Sequence, residues 1–175
     1  MWATFHGPQV PGVLLDAIRS GTVGGLVLFA LRGNIRSKEQ VRALVAEAAA
    51  AARRGGLPPV PVSVDQEGGV VVRVAYRAVF PSAMAIAATG DPANAERAAA
   101  AVARGLRADG LTVDHAPVCD VNVEPRNPVI GTRSFGDDPD RVAACAAAWV
   151  RGAVGGGGAS TAKHFPGHGA TAYDT

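Results

Sequence analysis

Three short stretches of the sequence concentrate side chains that can bind hydroxyl groups. Asp65-Gln66-Glu67-Gly68-Gly69 is followed closely by Arg73. Asp120 precedes the loop Gly131-Thr132-Arg133-Ser134-Phe135-Gly136, and Lys163-His164-Phe165-Pro166-Gly167-His168-Gly169 comes last. Carboxylates accept from hydroxyls, whereas arginine and lysine donate to hydroxyl oxygens. Brought together, these carboxylates, cations and imidazoles make a pocket that holds several hydroxyls at fixed angles, as sugar recognition requires. Each residue also has a plainer reading. Asp65 is suited to capping a turn, and Arg73 and Arg133 to surface ion pairs. Asp120 reads as structural, hydrogen-bonding within the rim, and Glu67 is ambiguous and stands outside the expected site.

Other chemistries fit these residues less well. His164 and His168 are four apart, the spacing of a helical zinc motif, but Pro166-Gly167 between them is incompatible with a helix, so no metal is expected. Cys119 and Cys145 fall in no metal or redox spacing and read as two buried thiols. The first strand's exit, Ala30-Leu31-Arg32-Gly33, has neither the dinucleotide nor the phosphate-loop glycine pattern. No cofactor is expected. Lys163 at a strand end leaves one rival open, a Schiff-base lysine.

The elements that must position these residues alternate between helical and extended. Pro11 to Ser20 reads as a short helix and Gly25 to Ala30 as a strand buried on both faces. Ser37 opens a long helix, with Gln40 completing a capping box and Val41, Leu44, Val45 and Ala48 forming its apolar stripe. Val60 to Val64 is the next strand, and it delivers Asp65 at its end. Asp91-Pro92 and Asp138-Pro139 each start an alanine-rich helix. Leu111 to Val121 and Ala159 to Phe165 are the remaining strands. Such alternation argues for a parallel sheet with helices outside, either doubly wound or an eight-fold barrel. No repeat or domain boundary interrupts it.

Composition narrows the partners. With 48% hydrophobic and 18% charged residues the chain is globular, and 5% aromatics leave packing mainly to alanine, valine and leucine. A formal charge of +2, with the arginines scattered, suggests no nucleic-acid partner. No apolar run approaches the roughly 20 residues of a membrane helix, so no membrane partner is expected. Met1 to Pro11 lacks the pattern of a secretion signal. Two buried thiols fit a cytoplasmic location, with export possible if the N-terminus is itself truncated.

The stretches GGLVLFALRGNI, PVSVDQEGG, APVCDVN, VIGTRSFGDDP and TAKHFPGHGATAYDT resemble, in order and spacing, the glycoside hydrolase family 3 β-N-acetylglucosaminidases. KHFPGHG followed by an aspartate is highly specific, and the resemblance covers nearly the whole chain. It implies an α/β fold of the (β/α)8 barrel type and retaining hydrolysis of terminal β-linked N-acetylglucosamine, typically from muropeptides. It further implies that Asp65, Arg73, Arg133, Lys163 and His164 contact the sugar. Asp174 matches the aspartate of the family's catalytic Asp-His dyad, whose histidine acts as general acid/base two residues later. Val70 departs from the arginine that commonly follows the VDQEGG glycines. Thr175 stands where serine is commoner, and the four glycines Gly155 to Gly158 are expected to loosen a helix-strand junction.

A closed barrel takes eight strands and about 250 residues. Four strands are expected here, so residues 1–175 are expected to be about the first half of one barrel domain, incomplete at the C-terminus. On that expectation the dyad histidine and the aspartate nucleophile lie beyond Thr175, and the 175 residues alone are inactive. The alternatives are a short non-catalytic half-barrel that binds sugar or a partner, and a parent enzyme that transfers the glycosyl group to phosphate.

Overall fold

In the computed structural model, which describes residues 1–174, each expected apolar run supplies a strand of a single sheet. Thr175, where the family commonly has serine, lies outside the described residues. The strands are β1 (Trp2–Ala3), β2 (Gly25–Val27), β3 (Val62–Val64), β6 (Val113–Asp114) and β7 (Ala159–Ser160). Between β3 and β6 lies a separate antiparallel hairpin, β4 (Gln66–Gly68) with β5 (Val71–Val72). Helices α1 (Gly12–Arg19), α2 (Lys38–Arg54), α3 (Ala83–Ala87), α4 (Ala93–Arg107) and α5 (Pro139–Gly155) fill the connections.

Strand order discriminates between the two architectures left open above. The sheet runs β1-β2-β3-β6-β7, every pair parallel, with Leu26 beside Val62, Ser63 beside Val113 and Val113 beside Ala159. Each new strand adds to the same edge, so the winding never reverses. A doubly wound sheet reverses at its switch point, whereas a barrel keeps winding in one sense. This is the barrel order.

Five parallel strands replace the four expected, because Trp2–Ala3 pairs beside β2. Two residues are too few to leave a periodic signal. The hairpin and α3 were also outside the expected elements, for the same reason of length. The third and fourth strands are shorter than their apolar runs. Beyond β6 and β7 the two segments still travel side by side, joined by a parallel bridge between Val118 and Lys163 and by the Cys119 N–H donating to the Lys163 carbonyl.

The helices start where their caps stand. Ser37 Oγ accepts from the Gln40 N–H, and Asp138 accepts from the N–H groups of Asp140 and Arg141. Gln40 departs from a simple capping box. Its Oε1 accepts from Arg36, one residue before the cap, while Nε2 donates to the Pro8 and Asn34 carbonyls. One side chain thus binds the N-terminal loop to α2. Asp91 accepts from the Ala93 N–H, but α4 starts one residue later than expected, with Pro92 itself at the cap position.

Apolar packing falls into two regions. Ile18, Leu26, Leu28, Val41, Leu44, Val62, Val64 and Leu111 fill the first, between the sheet and α1–α2. Each such side chain stabilises the fold by about 1.5–3 kcal/mol when fully buried. The second region, between α3, α4 and α5, is mostly alanine around Phe135 and Trp149, whose ring centroids lie 6.4 Å apart. Here α4 and α5 approach so closely that a Cβ on Gly152 would collide with the Glu96 carbonyl. Gly156 likewise lies against Ala100 and Ala103. Within the run Gly155 to Gly158, Gly156 and Gly158 thus let the end of α5 approach α4 closely, whereas Gly155 and Gly157 face open space. Cys145 is buried but Cys119 only half-buried, so one of the two expected buried thiols retains some exposure.

No helix among the described residues is long and apolar enough to cross a membrane. A buried charge links α2, the turn that follows the hairpin and the end of α4. Asp109 has no exposed side-chain surface and pairs with Arg77 and with Arg42 Nε at 3.1 Å. Burial pushes its carboxyl up, but Arg77 and Arg42 outweigh that and hold it below its ordinary value. Arg42 also donates to the Ala108 carbonyl at the end of α4. Both arginines are partly exposed and regain water when unpaired, so Asp109→Ala should cost about 1–3 kcal/mol. Urea unfolding measures it, and a loss below about 0.5 kcal/mol would show that the triad does not hold these elements together.

Candidate functional site

Because all five strands are parallel, the residues that follow β3, β6 and β7 emerge on one edge of the sheet. Asp65 directly follows β3, Asp114 ends β6, and Lys163 and His164 follow β7. Residues two apart on extended chain share a face, so Glu67 accompanies Asp65. The hairpin is locked by Gln66, whose Oε1 accepts from both the Arg73 and Val74 N–H groups at 3.0 Å. Val70, at the hairpin's turn, is exposed.

These residues form a continuous chain of alternating partners. Lys163 Nζ lies 2.6 Å from Asp65 Oδ1 and 2.6 Å from Glu67 Oε1. Arg133 grips the same Glu67 with two parallel bonds, Nε to Oε2 and Nη2 to Oε1, each 2.8 Å. Arg133 Nη2 also lies 3.2 Å from His164 Nε2, and His164 Nδ1 lies 2.6 Å from Asp120 Oδ2. Asp120 Oδ1 accepts from the His168 N–H at 2.6 Å. Six side chains from four separate segments are thereby connected.

Burial within the chain is graded. The Asp120 side chain has no exposed surface and that of Glu67 has 5%, while Lys163 retains 13%, Arg133 14%, Asp65 17% and His164 35%. The first two therefore brace the others, and the last four retain surface that a ligand can reach. Hydrogen-bond capacity remains on those four. Arg133 Nη1 donates one bond to the Val129 carbonyl, which leaves a second N–H. Lys163 makes two ion pairs and keeps a third N–H, and Asp65 keeps Oδ2. The Glu67 carboxylate holds the Arg133 guanidinium further above its ordinary value. A cavity of about 210 Å³ lies along Cys119, Asp120 and the 162–167 segment. A larger cavity, about 360 Å³ between Met84, Asn122 and Arg141, touches none of the six.

Asp114 adds a different charge state. Burial pushes its carboxyl up to about 8, with the charges of Asp65 and Glu67 adding to the rise and the Gln66 N–H and Lys163 offsetting part of it. At neutral pH it is mostly protonated, beside two carboxylates that pair with Lys163. The segment after β7 is fixed just as closely. Asn127 Nδ2 donates to the His168 carbonyl at 2.7 Å, and a Cβ on Gly169 would strike the Val121 carbonyl.

Of the six residues expected from sequence, the structure gathers Asp65, Arg133, Lys163 and His164. Arg73 lies on the hairpin's return, and its side chain makes no hydrogen bond or ion pair among the described residues. Asp174 is exposed near the end of the last segment. Glu67, set aside from sequence, lies at the centre of the chain; its two-residue offset from Asp65 was the signal. Asp114, an acid inside an apolar strand run, was missed although that anomaly marked it. Asp120 has the structural role expected of it. The segment from 163 to 169 is not helical, and no group of three or more His, Cys, Asp or Glu among the described residues is arranged to hold a metal ion.

Comparison with known proteins gives concordant results. Residues 12–175 match the glycosyl hydrolase family 3 N terminal domain. A β-hexosaminidase of Pseudomonas aeruginosa is 41% identical over 172 residues, covering 96% of this chain and 47% of its own. The chain thus spans about half the length of the curated relatives it matches. A family 3 β-N-acetylglucosaminidase from Paenibacillus superposes with a TM-score of 0.92 at 40% identity, over 99% of this chain and 33% of that one. NagZ from Neisseria gonorrhoeae, solved with N-trifluoroacetyl-D-glucosamine, superposes with a TM-score of 0.85 at 31% identity, over 97% and 50%.

The raised Asp114 carboxyl has a measurable consequence. A folded-state value of about 8 against roughly 3.9 unfolded means the folded protein binds more protons between those values. This group's contribution to stability therefore falls as pH rises from about 4 to about 8, by up to about 1.4 kcal/mol per pH unit. Asp114→Asn keeps an acceptor for the Gln66 N–H and removes that slope, so the variant should gain on the parent steadily from pH 5 to pH 8. Equal stability differences at both ends, by urea unfolding, would show that Asp114 is ionised throughout.

Proposed function

The chain belongs to glycoside hydrolase family 3 through its N-terminal domain, and from that premise we propose that the complete protein removes terminal, non-reducing β-linked N-acetylglucosamine from cell-wall muropeptides. The observation that carries this reading is the meeting of Lys163 and Arg133 on Glu67, flanked by Asp65 and His164. The remaining donors on Lys163 and Arg133 and the open Asp65 oxygen suit sugar hydroxyls, each of which both donates and accepts. The gonococcal relative, solved with an N-acylated glucosamine, supports the same choice of sugar. Arg73 contacts the sugar as well, on this reading.

Residues 1–175 constitute the N-terminal part of a (β/α)8 barrel domain, holding the sugar-binding residues and one member of the catalytic dyad. That member is Asp174, which orients and supports a histidine two positions later. The histidine's unperturbed pKa near 6.5 suits both proton donation and acceptance at neutral pH. Retention then follows from a carboxylate nucleophile and an acid/base that acts twice, protonating the leaving oxygen and later activating water. Both groups lie outside these 175 residues on this assignment.

Hydrolysis of p-nitrophenyl N-acetyl-β-glucosaminide tests the division of labour. The 175 residues alone should show no turnover above buffer, and catalysis by the pure chain would refute the division. In the complete protein, Asp65→Asn should weaken N-acetylglucosamine binding about 10-fold or more, for loss of charged hydrogen bonding. Asp174→Ala should lower kcat about 100-fold while leaving sugar affinity within a factor of three. Near-normal turnover in the second variant would remove Asp174 from the dyad, and undiminished binding in the first would remove Asp65 from the sugar site.

A further inference from the structure

The imidazole of His164 has two neighbours of opposite character. On one side is a carboxylate, Asp120, which when ionised can only accept; on the other is a guanidinium, Arg133, which can only donate. His164 Nδ1 faces Asp120 Oδ2 at 2.6 Å, and Nε2 faces Arg133 Nη2 at 3.2 Å. Both contacts are satisfied only when Nδ1 carries the hydrogen and Nε2 presents its lone pair. We propose that Asp120 is a positioning residue that fixes His164 as the Nδ1–H tautomer, so that Nε2 accepts from Arg133 and orients the guanidinium at the sugar site. The inference rests on the reading of that site given above.

Asp120 is suited to this because both of its oxygens are engaged as acceptors. Oδ2 takes the His164 ring N–H and, at 3.3 Å, the His164 backbone N–H. Oδ1 takes the His168 backbone N–H at 2.6 Å. The Asp120 carbonyl in turn accepts from Ser134 Oγ, next to Arg133 in the chain. The residue thus joins the segment after β7 to the loop that carries Arg133. An asparagine cannot reproduce this, since one of its two positions becomes a donor. Directed at His168, that amide opposes a backbone N–H. Directed at the ring, it needs a lone pair on Nδ1, which moves the hydrogen to Nε2 and sets it against Arg133.

The second neighbour explains why the tautomer matters. Arg133 spends Nε and one Nη2 hydrogen on Glu67, its other Nη2 hydrogen on His164 and one Nη1 hydrogen on Val129. A single Nη1 hydrogen remains for a ligand, and its direction is set by the other four bonds. Losing the His164 acceptor leaves the guanidinium held from the Glu67 and Val129 sides alone.

Long-range proton–nitrogen correlation spectra of the protein labelled with 15N-histidine read the tautomer directly, without sugar. At pH 7.5 His164 should show a protonated Nδ1 and an unprotonated Nε2. Asp120→Ala, which leaves Nδ1 without its acceptor, should populate the Nε2–H form and weaken binding of N-acetylglucosamine about 10-fold. An Nε2–H tautomer in the unsubstituted protein would overturn the proposal, and this measurement needs no variant to fold. An unchanged tautomer in a folded Asp120→Ala protein would overturn it equally. An Nδ1–H tautomer in a protein that binds no N-acetylglucosamine would uphold the positioning role and defeat the sugar-site reading instead.

Discussion

Lys163 and Arg133 can stand side by side only because Glu67 lies between them. Both cations contact the same oxygen, Oε1, at 2.6 and 2.8 Å. At the roughly 5 Å this implies, two unit charges repel by on the order of 3 kcal/mol at an effective dielectric of 20. The buried carboxylate converts that repulsion into attraction on both sides. The surrounding polar groups follow from the same condition. Asp65 balances the second positive charge, and the bidentate grip leaves Arg133 a fixed orientation with few donors to spare. A buried ion cluster of this kind is a poor source of stability, and its persistence is better understood as holding donors and acceptors in place.

The barrel-type winding makes the cluster possible. Asp65 and Lys163 are far apart in sequence, and the two strands that deliver them flank β6. Parallel pairing puts the C-terminal ends of all three strands on one edge, so the loops that follow them share a rim. The close approach of α4 and α5 packs the two helices backbone against backbone beside the sheet. Glycine and alanine at their interface serve that purpose, which gives the alanine-rich, aromatic-poor composition a structural meaning.

Charge state varies sharply over short distances on this rim. Asp114 is mostly protonated at neutral pH, with its carboxyl pushed up to about 8 by burial. Asp65 and Glu67, nearby, have Lys163 to balance them. A third charge beside Asp65 and Glu67 would add repulsion, and desolvation avoids this by keeping a proton on Asp114, the most buried of the three. The proton on Asp114 in this way lowers the charge on the rim while leaving localised donors and acceptors on Lys163, Arg133 and Asp65, a combination suited to a hydroxyl-rich ligand.

The amino-acid sequence alone determined the alternation of strands and helices, the caps at Ser37 and Asp138, and four of the six residues gathered on the rim. These are local properties, set by periodicity, by single polar side chains at element ends and by motifs read within one segment. Glu67 was within reach as well, since an extended chain places every second residue on the same face. What the sequence left open was decided by tertiary contacts: barrel rather than doubly wound order, the two-residue strand β1, the raised carboxyl of Asp114 and the separation of Arg73 from the connected cluster. Each depends on which segments become neighbours. Strand order is a relation between elements, burial depends on everything packed around a group, and a short strand exists only because a partner edge is there to pair with it.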